Sequence, residues 1–378
     1  MVFESDLPET DVERYSRQII VPGIHVRGQK SLGDSGILVV GCGGLGSPAI
    51  MYLSSCGARR IGLVDFDKVE IHNLQRQVIY TEADVSQHKV VAALSFVRRA
   101  NSSVEVEGYN EFLSRENVER IINPYDVVLD CTDNIHTRYL LSDYCKALGK
   151  SLICGSVLRW EGQLYKLTPN GPCYRCLFPN IKTETMTCED AGVVGPICGV
   201  IGSLQALEAI KTITGDVEPK MTIYNGMTSD LMDFKLRTPK HGCSVCSKKC
   251  VPESSSFFMP PCTSATDLED PDVDTVEWED ILDNLESYFL IDIRSPIQYE
   301  MFRVKGSVNI PLIDLPGKTG DIDASGKRIG VICRRGISSK EGAWILKRSG
   351  IHAFSVNGGI NGLKNQLRKA RQAESASG

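Results

Sequence analysis

Two cysteine pairs share a two-residue spacing: Cys173 and Cys176 in CYRC, and Cys243 and Cys246 in CSVC. Four thiolates can complete a tetrahedral Zn²⁺ site with no open position, so a zinc held there, one per subunit, is structural. Four reduced, unliganded thiols are the plain alternative. Far upstream, VVGCGGLGSP supplies Gly41, Gly43, Gly44 and Gly46 between an apolar run and a stretch that begins a helix near Ser47-Pro48. Backbone amides and a helix N-terminus in that setting can receive a phosphate. Asp65 ends the next apolar run, GLVDFD, where a carboxylate can accept hydrogen bonds from ribose hydroxyls. A third constellation is VICRRGIS, with Cys333 followed by Arg334, Arg335, Gly336 and Ser338. Amides converging on that sulfur, a helix dipole and two guanidiniums would favour a thiolate.

The glycine loop and Asp65 alone fit a dinucleotide dehydrogenase, but the residues after them do not serve hydride transfer. HNLQRQ (His72, Asn73, Leu74, Gln75, Arg76, Gln77), His88-Lys89 and CTDN (Asp133, Asn134) place cations and a carboxylate at successive strand ends. Arg76 and Lys89 can neutralise a triphosphate, and Asp133 can hold Mg²⁺, which prefers oxygen ligands. A phosphatase reading of Cys333 needs an arginine six positions on, and that residue is Ser339. Without the guanidinium fork a smaller anion such as a persulfide fits the loop better. Cys188, in TMTCEDAGVVGP, lies in a weakly periodic segment that reads as an exposed crossover. Its neighbours Glu184, Glu189 and Asp190 would not lower its pKa. Cys42, Cys56, Cys131, Cys145, Cys154 and Cys198 sit in apolar or glycine-rich stretches and read as small buried hydrophobes, while Cys250 and Cys262 suggest no task.

These residues need elements to position them. GILVVG, RIGLVDFD, YDVVLDCTD and SLICGSV read as strands separated by amphipathic stretches, the pattern of a parallel sheet with helices on both faces. After a Pro-, Ser- and acid-rich seam come YFLIDIR, GSVNIP, RIGVIC and AFSV, with SSKEGAWILKRSG a helix opened by a Ser338-to-Glu341 capping box. The expected fold class is α/β in two domains, residues 1–250 and 273–370, with a linker at 251–272 and a tail at 371–378. At 378 residues the chain is long enough for two cores. Basic and acidic residues number 27 and 34 through residue 272, and 15 and 13 beyond it, without the basic excess of a nucleic-acid binder. The polar, acidic N-terminus and the absence of a long apolar run place the chain in the cytoplasm, away from the membrane.

RYSRQI, GCGGLGSP, DFDKVEIHNLQRQ, DCTDN and GPCYRC, in that order over roughly residues 10–250, resemble the ubiquitin-activating-type adenylyltransferases, in particular their molybdopterin-synthase branch. The resemblance implies a Rossmann-like ATP-binding domain with a structural zinc. It puts Gly44 and Asp65 on the nucleotide, Asn73, Arg76 and Lys89 on its phosphates and Asp133 on Mg²⁺, with Gly41, Gly43, His72, Leu74, Gln75 and Asn134 in the same ATP site. It also implies a homodimer in which Arg17 reaches the partner's site. The activated carboxylate in such a family is the Gly-Gly C-terminus of a ubiquitin-like carrier, and Cys188 matches a cysteine that forms a thioester or disulfide with it.

Residues 276–366 resemble a rhodanese domain through LIDIRSPIQYE, GSVNIP, CRRGIS and NGGINGL, with Phe302 and Arg303 replacing a usual histidine and Leu363 a frequent tryptophan. Adenylyltransferase followed by rhodanese implies that Cys333 carries a persulfide loaded by a cysteine desulfurase. The carrier would leave with a C-terminal thiocarboxylate for tRNA wobble-uridine thiolation, molybdopterin synthesis or both, and the chain itself need not touch RNA. Relatives often have Asp at Ser338, which bears on the sulfur donor. Two rival readings stand beside this one: a modifier-conjugating activator that passes a Cys188 thioester onward, with the second domain only docking partners, and a scaffold whose rhodanese unit never carries persulfide.

Overall fold

A computed structural model of the 378-residue chain describes residues 5–179, 192–248 and 273–367, and the chain divides into two units, Met1–Phe258 and Met259–Gly378. Cys188, Cys250, Cys262, the linker at 251–272 and the tail at 371–378 lie outside the described residues.

In the first unit, the GILVV run forms β1 (Gly36–Val40), buried throughout. Side chains alternate across a strand, so Ile37 and Val39 enter one apolar cluster while Leu38 and Val40 enter the other. β2 (Arg60–Val64), β3 (Glu105–Tyr109), β4 (Val127–Asp130) and β5 (Ser151–Leu158) are parallel to it. The sheet order is β3-β2-β1-β4-β5-β6-β7-β8. Here the structure corrects the parallel-sheet expectation. β6 (Glu161–Leu167), β7 (Lys220–Asn225) and β8 (Asp230–Lys235) pair antiparallel, because a tight hairpin at Arg159-Trp160 returns the chain directly beside β5.

Helices cover both faces. α1 (Glu9–Ile19) and α2 (His25–Asp34) precede the sheet; α3 (Gly46–Ser55), α4 (Lys89–Ala100), α5 (Val118–Ile122) and α6 (Ile135–Ala147) are crossovers. α7 (Tyr174–Leu177), α8 (Gly195–Ile213) and α9 (Ser244–Lys248) follow. The order reverses between β1 and β4, so the loops after those strands flank the crevice where doubly wound sheets bind ligands.

The second unit repeats the logic on a smaller scale. β9 (Thr275–Val276), β10 (Tyr288–Asp292), β11 (Val308–Asn309), β12 (Arg328–Ile332) and β13 (Ala353–Val356) form an all-parallel sheet ordered β11-β10-β12-β13-β9. Around it lie α10 (Trp278–Asp283), α11 (Pro296–Met301), α12 (Leu315–Lys318) and α13 (Ser338–Arg348). The reversal here falls between β10 and β12, and Cys333 follows β12 directly. The capping box is not formed. Ser338 is already helical, Ile337 occupies the N-cap, and no side chain caps the helix. Gly336, at φ +84°, makes the turn that brings the helix start under Cys333.

Candidate active sites and metal centre

The glycine loop is pressed against the end of β4. Gly41 has φ +93°, and a Cβ there would lie 2.8 Å from the Cys131 carbonyl oxygen, so only glycine fits. A Cβ on Gly44 would meet Cys198 Sγ at 3.0 Å and the Arg76 stem at 3.4 Å. Arg76 is thereby packed against the loop, with Nη1 donating to His72 O at 3.3 Å. Asp65 accepts from the amides of Cys42 (2.8 Å) and Asp67 (2.9 Å), which fixes the loop relative to β2. Burial pushes the Asp65 carboxyl above its ordinary value, against the pull of the Lys89 ammonium and those two amides.

Lys89 is buried and paired with Asp67 at 2.9 Å. Burial alone would lower its pKa, but Asp65 and Asp67 outweigh it and hold the ammonium above the usual lysine value. Tyr80 Oη lies 2.8 Å from Cys42 O and 3.2 Å from Lys89 O, stitching the loop to the start of α4. Asn73 is buried and accepts from the Glu70 amide at 3.2 Å; Leu74 packs on the core, and His72 and Gln75 are exposed. Asn134 caps α6 through the amides of His136 (2.9 Å) and Thr137 (3.1 Å). Asp133 and Arg17 are exposed, with no hydrogen bond or ion pair among the described residues. A free carboxylate beside a glycine cradle fits a hard cation with phosphate oxygens.

CYRC and CSVC come together from opposite ends of a 70-residue separation. Their sulfurs all lie within 4.8 Å of one another, with Cys173–Cys176 at 3.7 Å and Cys173–Cys243 and Cys176–Cys246 at 3.6 Å. These separations are far longer than a disulfide and close to the edge, about 3.8 Å, of a tetrahedron with Zn–S arms of about 2.3 Å. The cluster therefore fits a metal of zinc's kind. The Lys240 amide donates to Cys176 Sγ at 3.3 Å. α7 is clamped to α6 by Arg175 on Asp143 (2.8–3.0 Å), the Tyr174 amide on Ser142 (2.9 Å) and Tyr139 on Phe178 O (2.6 Å).

In the second unit Cys333 is buried, and its sulfur accepts from the Gly336 amide at 3.0 Å. Ser339 Oγ lies 3.4 Å from the sulfur and 2.8 Å from Ser355 Oγ, both serines fully buried. Ile360 N donates to Cys333 O and Asn361 N to Arg334 O, so NGGINGL does close over the loop. Arg335 and Ser338 are exposed and Arg334 half-buried. Beside the loop, Arg294 forks onto Asp292 (2.6–3.1 Å) and donates to Phe302 O at 2.6 Å.

Sequence reasoning missed Asp67, Arg138, Ser339 as a sulfur neighbour, and Ser355. Asp67 was legible as the second acid of DFD, but the others act through contacts that no local pattern encodes. The six cysteines read as structural are buried, and burial pushes the Cys42, Cys131 and Cys154 thiols well up.

Fold and sites define a doubly wound α/β nucleotide-cradle unit with a four-cysteine cluster, joined to a small parallel α/β unit bearing a cradled cysteine. The chain belongs to the ThiF family, which it matches over residues 15–245, and it carries a rhodanese-like domain over residues 277–366. It is similar to the adenylyltransferase and sulfurtransferase MOCS3 of Dictyostelium discoideum, 41% identical over 334 residues covering 83% of this chain and 78% of that protein. MOCS3-1 of Zea mays is 38% identical over 384 residues (94% and 82%), and MOCS3 of Bos taurus 35% over 389 (94% and 86%). Among solved structures, E. coli MccB with MccA-N7isoASN overlays with a TM-score of 0.55 at 20% identity, covering 64% of this chain and 75% of that one; this shows the shared fold. No helix among the described residues is long and apolar enough to cross a membrane.

Proposed function

We propose that the chain is an adenylyltransferase and sulfurtransferase that converts the C-terminal glycine of a ubiquitin-like sulfur carrier into a thiocarboxylate, as the names of its relatives suggest for its two activities. The observation that carries the proposal is the pairing, in one chain, of a glycine loop packed against the Arg76 stem with a separate cysteine whose sulfur already accepts a backbone amide.

The carrier's carboxylate attacks the α-phosphorus of ATP and pyrophosphate departs. The amides of Gly43 and Gly44 and the Arg76 and Lys89 cations offset the charge that develops, while the Gly41 and Cys42 amides stay bound to Val64 O and Asp65 and hold the loop in place. Asp133 would hold Mg²⁺, which supplies charge neutralisation on the phosphates. A persulfide on Cys333, loaded by a cysteine desulfurase, attacks the acyl-adenylate carbonyl and expels AMP. Cleavage of the resulting acyl disulfide by Cys188 gives the thiocarboxylate and leaves a Cys333–Cys188 disulfide for a reductant to open. The Gly336 amide and the Ser339 hydroxyl stabilise sulfur anions as they form. Cys173, Cys176, Cys243 and Cys246 would hold a structural zinc, and Arg17 would complete the site of a second copy in a homodimer. The domains are residues 1–250 and 273–370, in the cytoplasm.

The test is carrier-dependent ATP–pyrophosphate exchange beside persulfide labelling of Cys333. Exchange abolished by Asp133→Asn but kept by Cys333→Ala, with desulfurase-dependent labelling lost only in Cys333→Ala, supports the assignment. Persulfide that never forms on Cys333 favours the conjugating or scaffold reading.

A further inference from the structure

Arg138 is almost fully buried in the first unit, one helical turn after Asp133 and Asn134, and none of the roles above uses it. Its Nε donates to Asp130 Oδ2 at 2.6 Å, and Nη2 reaches Thr132 O at 3.1 Å and Gly155 O at 2.5 Å. The other oxygen of Asp130, itself fully buried, accepts from the Thr132 amide at 3.0 Å and the Thr132 hydroxyl at 2.7 Å. All three polar groups of Thr132 are thus held by one buried ion pair, and the next residue is Asp133. Thr132 N also lies 3.1 Å from where a Gly41 Cβ would stand, so the same residue abuts the glycine cradle.

Such a pair is a poor device for stability, because desolvating two charges offsets most of their attraction. It is a good device for geometry. A guanidinium offers donors from separate nitrogens in a fixed fork that can meet a carboxylate and two carbonyls at once, whereas an ammonium has to serve all three from a single nitrogen on a flexible stem. From this we infer that Arg138 is a positioning residue for adenylation: with Asp130 it fixes the Thr132 backbone and so sets where the Asp133 carboxylate stands relative to the phosphate cradle. The inference rests on the Asp133 role proposed above.

The experiment compares full-length wild type, Arg138→Lys, Asp133→Asn and the double variant, each titrated calorimetrically with an ATP analogue bearing a methylene between its α- and β-phosphorus atoms, with and without Mg²⁺. Lysine keeps a charge for Asp130. A neutral Asp130→Asn/Arg138→Gln pair serves in its place if Arg138→Lys melts more than a few degrees below wild type. The expected result is a loss of about fivefold or more in Mg²⁺-dependent affinity, with Mg²⁺-free affinity within about twofold, and almost no further loss when the change is added to Asp133→Asn. Equal weakening with and without Mg²⁺, or an undiminished loss in the Asp133→Asn background, overturns the inference. If Asp133→Asn alone leaves Mg²⁺-dependent affinity intact, the Asp133 role fails first, and that result is distinct from a failure of Arg138.

Discussion

Arg294→Ala removes the guanidinium that forks onto Asp292, a carboxylate with no solvent exposure, and also its bond to Phe302 O. The Arg294 amide, at 3.1 Å, is then the remaining donor among the described contacts of that carboxylate. Breaking one side of a buried ion pair costs about 3–5 kcal/mol, mostly because the other charge is left uncompensated. For a unit of this size each kcal/mol moves the melting temperature by about 4–8 °C, so the second unit should melt at least about 12 °C lower. Differential scanning calorimetry of the whole chain reads this directly. Replacing both partners by leucine should recover most of the loss, since a well-packed apolar pair is close to neutral against a buried ion pair. ATP–pyrophosphate exchange, which belongs to the first unit, should not change. A shift below about 4 °C, or equal damage from the double variant, would mean that Arg294 does not compensate a buried Asp292 charge.

Gly41→Ala places a Cβ 2.8 Å from a backbone carbonyl at φ +93°, and the left-handed conformation alone costs about 1–2 kcal/mol. ATP affinity by calorimetry should therefore fall by about tenfold or more while the fold persists. Wild-type protein should contain one zinc per subunit by elemental analysis, and Cys243→Ser should lose most of it, because three sulfurs and a hydroxyl no longer match the 3.6–3.7 Å cage. Asp216 offers a pH test. Partial burial would raise its pKa, but the Glu218 amide, Lys166 and Lys211 bring it down from 3.8 to about 2. A depressed folded-state pKa gives stability that is present above the unfolded value and is lost as pH falls from about 4 toward 2. The stability difference between wild type and Asp216→Asn should thus be flat above pH 4 and shrink below it in urea unfolding series.

The strands around both crevices were legible because their interiors are buried on two faces and read as apolar runs: GILVV, VVL before Asp130, and IGVI after Arg328. The glycine loop and the paired cysteines announce themselves by spacing. β8 carries no such signal: every residue of DLMDFK is exposed, so neither a continuous run nor a polar face marks it. β3, EVEGY, is hidden by its charges in the same way. Arg138 sits in an ordinary helical stretch, IHTRYLL, and its meaning lies in Asp130 and Gly155, 8 and 17 residues away, which only the sheet brings together. The Ser338 capping box failed because Gly336 turns the chain early enough to make Ser338 helical.

In the proposed mechanism, acyl activation in the first unit and sulfur carried on Cys333 meet on one substrate. The most direct test incubates the full-length protein with ATP, Mg²⁺, a cysteine desulfurase with cysteine, a reductant and a Gly-Gly-ended carrier, and weighs the carrier by mass spectrometry. Wild type should yield a carrier heavier by one oxygen replaced by sulfur, and Cys333→Ala should yield no such gain. A gain that survives Cys333→Ala with desulfurase as the sole donor, or adenylate without thiocarboxylate in wild type, contradicts that mechanism.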